Sequence, residues 1–391
     1  MEITVLCKVV DNFGDIGFVC RLCRSLCELD AGVSIRLVVS CLDSFSRIAP
    51  GIQPGRAFQE FRGWSVFDWN AAEVCRDEFS RRPPKIILEC FQCGRPGWLE
   101  DILFAPDFSQ PVRIINIEYL TAEEWADEFH LLKSGTRSLH VKKMNFMPGF
   151  TKKTGGLVLD RPFMRCAEDR QFARQVLSSE PDAPRELFSD SFKILLFSYQ
   201  KDFSFLAAAL SRFASSRNVC VFIAPGAGMA CAQQALQGRN VPFCCVPLPY
   251  LRQESWDALL CLMDFAFVRG EDSFSRACLA GIPFVWNCYP QDGEFQLVKL
   301  DAFLRRLAVP EVSLFSFLYN RNFGRELCPQ AFEVLPPSFP AAEEECAVLM
   351  ERLALQLLEH SGQLKEQFAR FSRQLRENGN LAEHLLNILH G

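Results

Sequence analysis

Three things are scarce in this chain of 391 residues, and each scarcity excludes a class of function. Basic residues are not in excess: 42 Lys and Arg stand against 47 Asp and Glu, a net charge of −5, whereas a nucleic-acid binder would normally be basic. No apolar run approaches the ~18 residues needed to span a bilayer, and no charged N-terminal segment precedes a long apolar core. The expectation is a cytoplasmic protein with no membrane and no nucleic acid among its partners. Histidine is sparse: His130, His140, His360, His384 and His390 are dispersed and form no ligand cluster. An Asp-x-Asp pair occurs nowhere.

Cysteine, by contrast, is plentiful, with 18 residues. Cys20-x-x-Cys23 and Cys90-x-x-Cys93 have metal-ligand spacing. However, Cys20, Cys23 and Cys27 fall at core-like spacing on an expected helix, and others, such as Cys244-Cys245, lie in apolar strands. Free cysteine behaves as a small buried hydrophobe. The reading is therefore buried thiols rather than a metal site or a disulfide framework.

The length favours two domains. Strand candidates are Ile3–Val10, Ser34–Val39, Lys85–Glu89 and Arg113–Ile117. They alternate with helical stretches, one of them opened by a capping box, Thr121-x-x-Glu124. Residues 161–190 are polar, carry Pro162, Pro181 and Pro184, and read as a linker with a helix inside it. The alternation restarts at Phe192–Phe197 and continues through Val219–Ala224, Phe243–Pro247, Phe265–Val268 and Phe284–Trp286. The expected organisation is an α/β chain of two doubly wound, Rossmann-like domains, 1–160 and 191–340, followed by a helical tail, 341–391, broken at Asn378-Gly379-Asn380.

The first strand runs into Asp11-Asn12-Phe13-Gly14-Asp15-Ile16-Gly17, and an amphipathic stretch, Phe18 to Leu29, follows. A first strand feeding a Gly-bearing turn and a helix is where α/β proteins bind ligands. Phosphate-cradling turns avoid negative charge, so Asp11 and Asp15 face something else. A second motif, Arg269-Gly270-Glu271-Asp272-Ser273-Phe274, follows the strand Phe265–Val268. One such loop in each half points to an active site between two domains.

The second motif suits a nucleotide diphosphate. Arg269 offers a fork of donors, and Gly270 permits close approach. Asp272-Ser273 can cap a helix whose N-terminus favours an anion. Glu271 sits badly beside phosphate and suits sugar or ribose hydroxyls. The alternative is an ordinary surface ion pair between Arg269 and Glu271. Tyr250 and Trp256, in a loop, can stack on a base with Gln253 pairing its edge; the alternative is that both aromatics cap a core. Tyr199 can bond a phosphate. Sugar transferases that hold a nucleotide diphosphate through a divalent metal normally need an Asp-x-Asp pair. Its absence favours neutralisation by Arg269 and a helix terminus.

The chain resembles the EarP family, bacterial protein-arginine rhamnosyltransferases that modify elongation factor P. The resemblance rests on Cys7 to Gly17, Ile117 to Glu124, Met147 to Leu157, Leu195 to Tyr199, Arg269 to Phe274 and Tyr289 to Asp292. These motifs run in order over residues 1 to about 305; beyond that only length and helical character agree. The resemblance implies a GT-B glycosyltransferase fold with the active site in the cleft between the domains. It implies dTDP-β-L-rhamnose as co-substrate on the C-terminal domain, elongation factor P as protein acceptor on the N-terminal domain, inversion at the anomeric carbon, and no metal or other cofactor. It maps the catalytic base to Asp15, its support to Asp11 and an essential glutamate to Glu271. Donor contacts map to Asn12, Phe13, Gly14, Tyr199, Tyr250, Gln253, Trp256, Arg269, Gly270, Asp272 and Ser273. The family carries Phe where this chain has Tyr250 and Trp256; both changes keep an aromatic face. Glu118 and Tyr119 are candidate acceptor contacts, although a capped helix start explains them nearly as well. The competing functions are a GT-B transferase acting on a lipid or polysaccharide, and a non-catalytic nucleotide-sugar-binding partner protein.

Overall fold

In the computed structural model, which describes residues 1–10, 14–238, 241–340 and 342–391, the chain's contacts separate two units. Unit 1 is Met1–Arg161 with Arg376–Gly391, and unit 2 is Pro162–Leu375.

Unit 1 contains, in chain order, β1 (Glu2–Cys7), α1 (Gly14–Leu29), β2 (Ser34–Val39), α2 (Leu42–Ile48), β3 (Phe58–Phe61), β4 (Trp64–Asp68), α3 (Ala72–Arg81), β5 (Ile86–Cys90), α4 (Gly97–Leu103), β6 (Val112–Ile117), α5 (Trp125–Phe129), β7 (Lys133–Ser134) and β8 (Val141–Phe146). Its sheet has the order β3-β4-β2-β1-β5-β6-β8-β7. The inner pairs are parallel, and each edge closes with an antiparallel pair. Strands covered on both faces read as continuous apolar runs, and β1 is such a run, buried from Ile3 to Cys7. The chain order reverses between β1 and β5, where open α/β sheets bind ligands at the strand C-termini.

Unit 2 contains α6 (Arg161–Glu168), α7 (Arg170–Ser178), β9 (Phe192–Leu196), α8 (Ser204–Phe213), β10 (Val219–Ile223), α9 (Met229–Leu236), β11 (Cys244–Pro247), α10 (Gln253–Leu262), β12 (Phe265–Arg269), α11 (Asp272–Ala280), β13 (Phe284–Asn287), α12 (Gln296–Leu307), α13 (Ser313–Asn320), α14 (Pro329–Glu333), α15 (Glu343–Glu359) and α16 (Ser361–Arg376). Its five strands are parallel in the order β11-β10-β9-β12-β13, with the reversal between β9 and β12.

Three expectations need correction. Residues 162–190 belong to the body of unit 2. Asp169 caps α7 by accepting from the Gln171 and Phe172 N–H groups, and buried Glu180 accepts from Ser255 Oγ at 2.6 Å. Nor is the tail, 341–391, a body of its own. α15 packs on α8, and Phe368 of α16 meets Phe284 edge-on at 5.2 Å. The chain then crosses to unit 1, where Asn380 caps α17 (Leu381–His390) and Leu381, Leu385 and Leu389 join the core around α1. Thirdly, the capping box does not form: Thr121 Oγ1 donates to the Glu123 carboxylate, and the N-cap of α5, Glu124, makes no side-chain capping bond.

Buried charge ties α1 to the end of the unit 1 body. Arg21 bonds Asp160 at 2.8 Å with both side chains wholly buried, and Arg24 lies 3.5 Å from the same carboxylate. All eighteen cysteines are free. Cys20 and Cys23 face the core from α1, and burial pushes the Cys7, Cys23 and Cys90 thiols well up. Among the described residues, no group of three or more His, Cys, Asp or Glu is arranged to hold a metal. No described helix is long and apolar enough to cross a membrane.

Candidate active site

In unit 2, candidate residues gather where β9 and β12 end side by side. Arg269 closes β12, and its guanidinium lies 4.7 Å from the ring centroids of both Phe197 and Tyr199, which follow β9. A guanidinium stacked on aromatic faces keeps its in-plane N–H donors for an anion. Among the described residues no carboxylate pairs with it, so the alternative ion pair with Glu271 is not formed.

Gly270 turns the chain with φ 66°, a left-handed conformation that favours glycine. Glu271 is the N-cap of α11 but makes no side-chain capping bond. Asp272 and Ser273 are the first two residues of α11, not its cap as expected. Ser273 Oγ instead accepts from the Trp256 indole N–H at 3.3 Å.

Trp256 and Gln253 also differ from expectation. Both lie on α10, which begins at Gln253, rather than in a loop. The Trp256 ring meets Phe197 edge-on at 5.1 Å, so it belongs to the wall around Arg269. Tyr250 does lie in the preceding loop and is 47% exposed.

The end of β13 fixes both loops. Trp286 Nε1 donates to the Gly270 carbonyl at 3.1 Å, and its ring stacks on Phe274 at 3.9 Å. Asn287 Oδ1 accepts from Ser198 Oγ at 2.7 Å and from the Tyr199 N–H at 2.9 Å. Asn320 supports that strand end by donating to the Trp286 carbonyl at 2.8 Å, and Tyr319 OH donates to Ser198 Oγ at 2.8 Å. Lys201 donates to the Tyr319 carbonyl, and burial pulls its amine down to about 8.

Sequence reasoning missed this support, and it missed Gly228. A Cβ there would lie 2.6 Å from the Ser198 carbonyl oxygen and 2.8 Å from that of Tyr199, so only glycine fits. The available signal was Gly226-Ala227-Gly228 just past a buried strand.

In unit 1, the candidate residues lie at the ends of β1, β5 and β6. Asp11, Asn12 and Phe13 fall outside the described residues. Gly14 and Asp15 open α1. Asp15 is 3% exposed, with Oδ2 accepting the Val10 N–H at 2.7 Å. The carboxylate folds back over the strand exit, and Asp15 lies close enough to Cys7 and Cys90 to help raise their thiol pKa values, although burial is the larger cause.

Phe18 of α1, Phe91 and Tyr119 form a row of rings along this edge, at 5.2 Å and then 4.5 Å, the second contact stacked. Glu118, beside Tyr119, accepts from Gln92 Nε2 at 2.8 and 2.9 Å and from Asn116 Nδ2. Phe91 and Gln92 have φ of 60° and 50°. Consecutive non-glycine residues in that region cost about 1–3 kcal/mol each. Nothing in their residue types signals it.

The model of the family described as "Elongation-Factor P (EF-P) rhamnosyltransferase EarP" matches residues 3–390. The chain belongs to the EarP family. It is 32% identical over 319 residues to a protein-arginine rhamnosyltransferase of Shewanella oneidensis, covering 77% of this chain and 79% of that protein. It is also 32% identical over 318 residues to the one of Pseudomonas putida, covering 77% and 80%. The fold matches a solved structure described as the basis for EarP-mediated arginine glycosylation of translation elongation factor EF-P. The TM-score is 0.56 at 18% identity, covering 100% of this chain and 98% of that one. The fold is thus that of two Rossmann-like domains of the GT-B type.

Proposed function

We propose that this chain transfers L-rhamnose from dTDP-β-L-rhamnose to the guanidinium of one arginine of elongation factor P, in the cytoplasm, with inversion and without a metal. The observation that carries the reading is the Arg269 guanidinium at the switch point of unit 2, stacked on Phe197 and Tyr199 and paired with no carboxylate among the described residues.

In this reading Arg269, Ser273 and the N-terminus of α11 take the diphosphate, Gly270 gives it room, and Asp272 contributes beside them. Tyr250, Gln253 and Trp256 take the thymine, with Asn12, Phe13 and Gly14 adding contacts from unit 1. Tyr199 bonds a phosphate and Glu271 the sugar hydroxyls. Asp15, braced by Asp11, holds the acceptor guanidinium, with Glu118 and Tyr119 as further acceptor contacts.

A guanidinium has a pKa above ~12, so no carboxylate strips it in the ground state. Charge-assisted bonds to Asp15 orient it instead. As a guanidinium nitrogen attacks the anomeric carbon, the C–N bond forms and the C–O bond to the diphosphate breaks. The bonding pair leaves with dTDP, and Arg269 neutralises its growing charge. The nitrogen becomes acidic as the new bond forms, and its proton passes to Asp15.

The test is intact mass spectrometry of elongation factor P after incubation with this protein and dTDP-β-L-rhamnose, with EDTA present. A gain of one deoxyhexose, localised to an arginine by fragmentation, supports the proposal. No gain, or a gain only when Mg²⁺ is restored, contradicts it.

A further inference from the structure

One face of the unit 1 sheet is polar where parallel sheets are normally aliphatic. Glu89 on β5, Asn116 on β6 and Asn145 on β8 are register partners across three adjacent strands. Two residues further along the chain, on the same side by strand alternation, Glu118 follows Asn116, while Lys143 precedes Asn145. Glu89 is wholly buried and Asn116 is 3% exposed. Above this row lies a cavity of about 670 Å³ lined by Asn116, Glu118, Lys143 and Asn145, with Trp125 and Phe129 at its rim. That is the size of a small-ligand site.

Most charged groups in and around the cavity stand in ion pairs, three cations on two carboxylates. Lys143 and Arg95 share Glu89, and Arg95 and Arg137 share Glu100. Glu118 is the exception. Among the described residues its carboxylate is held only by neutral amides, from Gln92 and Asn116. Gln92 has φ 50°, and Asn116 Oδ1 is buried without a donor among the described residues. At the rim, Trp125 and Phe129 are 43% and 44% exposed, their rings perpendicular at 5.5 Å. An oriented carboxylate without a cation, beside open aromatic faces, is a receptor for a planar cation.

We infer that this cavity binds an arginine side chain of the protein acceptor other than the one that reacts. Glu118 takes the guanidinium, and Trp125 and Phe129 cover its plane and stem. The site is separate from Asp15. Asp15 follows β1 and Glu118 follows β6 with β5 between them, two strand spacings or about 10 Å along the sheet edge. The cavity thereby gives the acceptor a second anchor, and remote anchoring supplies the orientation a bare guanidinium lacks. Who supplies the side chain rests on the acceptor reading above; the binding itself does not.

The probe is Nα-acetyl-argininamide, titrated into the full chain while the Trp125 indole N–H resonance is followed by NMR, assigned through Trp125→Phe. The expected result is a saturable shift. It weakens at least tenfold in Glu118→Gln and with the neutral isostere Nα-acetyl-citrullinamide, and it persists in Asp15→Asn. Asn116→Leu should weaken it too, and folding of each variant is checked by its amide spectrum. No saturable shift, equal binding of the citrulline analogue, or unchanged binding in Glu118→Gln overturns the inference. Sugar transfer to elongation factor P without probe binding removes the second anchor and leaves the function standing. Probe binding without sugar transfer removes the function and leaves the site.

Discussion

Asn287 and Tyr199 lie 88 residues apart in sequence, yet the Asn287 side-chain oxygen accepts the Tyr199 backbone N–H at 2.9 Å. The same oxygen takes the Ser198 hydroxyl, and the neighbouring Trp286 takes the Gly270 carbonyl. Two adjacent residues at the end of β13 therefore set where both candidate donor loops stand.

Asn287→Ala removes that acceptor and leaves a backbone N–H without its partner, a cost of about 1–3 kcal/mol. Because the loop carries Tyr199 rather than the reacting atoms, the KM for dTDP-rhamnose should rise about tenfold while kcat stays within a few-fold. Asn287→Asp keeps the oxygen and should restore most of the affinity. Steady-state kinetics on the three proteins checks this; equal KM values refute the positioning role.

Arg269→Met removes a charge that has no carboxylate partner among the described residues, so folding should survive and melting should change little. A charge-assisted hydrogen bond contributes about 1.5–3 kcal/mol, so dTDP affinity should fall roughly 10- to 100-fold. Thymidine, which lacks the diphosphate, should lose almost nothing. Arg269→Lys should rescue poorly because an ammonium lacks the planar fork that stacks on Phe197 and Tyr199. Calorimetry with both ligands reads the difference.

Asp160→Ala strands Arg21, wholly buried, and Arg24 without their shared carboxylate. Breaking a buried ion pair on one side costs about 3–5 kcal/mol. Chemical denaturation should show a loss of that order, confined to the transition of unit 1. A loss below 1 kcal/mol would mean that the pair is not the tie between α1 and the 160 region.

His130 accepts the Met147 N–H through Nδ1 at 3.1 Å, and burial, the main cause, pushes its pKa down to about 4. The folded value lies below the unfolded ~6.5, so the unfolded chain binds the proton first as pH falls. The stability tied to the neutral ring is complete above pH 6.5 and is lost between 6.5 and 4. Urea midpoints measured at pH 7.5, 6, 5 and 4.5 should fall more steeply for the wild type than for His130→Gln. Parallel profiles would exclude the histidine as the source.

Much of this was legible in the chain. An apolar run, a glycine-bearing turn and an amphipathic stretch located β1 and α1, and the same grammar located β9, β12 and the Arg269 loop. What stayed hidden depended on partners distant in sequence. Trp256 looked like a loop residue because α10 starts after Arg252 without a side-chain cap. The left-handed Phe91 and Gln92 are invisible in residue type. The amphipathic face of α17 shows that it docks but not on which unit. The row Glu89, Asn116, Asn145 is hidden because register, not sequence proximity, brings it together.

The division of labour between Asp15 and Arg269 is tested most directly by one paired measurement on Asp15→Asn: single-turnover rhamnosylation of elongation factor P, and donor affinity by calorimetry. The substitution keeps size and the acceptor for the Val10 N–H but removes charge and base. Turnover should fall about 10²–10⁴-fold, the usual contribution of a general base, while dTDP-rhamnose affinity stays within a few-fold because most proposed donor contacts lie in unit 2. A mutant within a few-fold of the wild-type rate, or one that loses donor affinity as fully as activity, would contradict the assignment of Asp15 as the base.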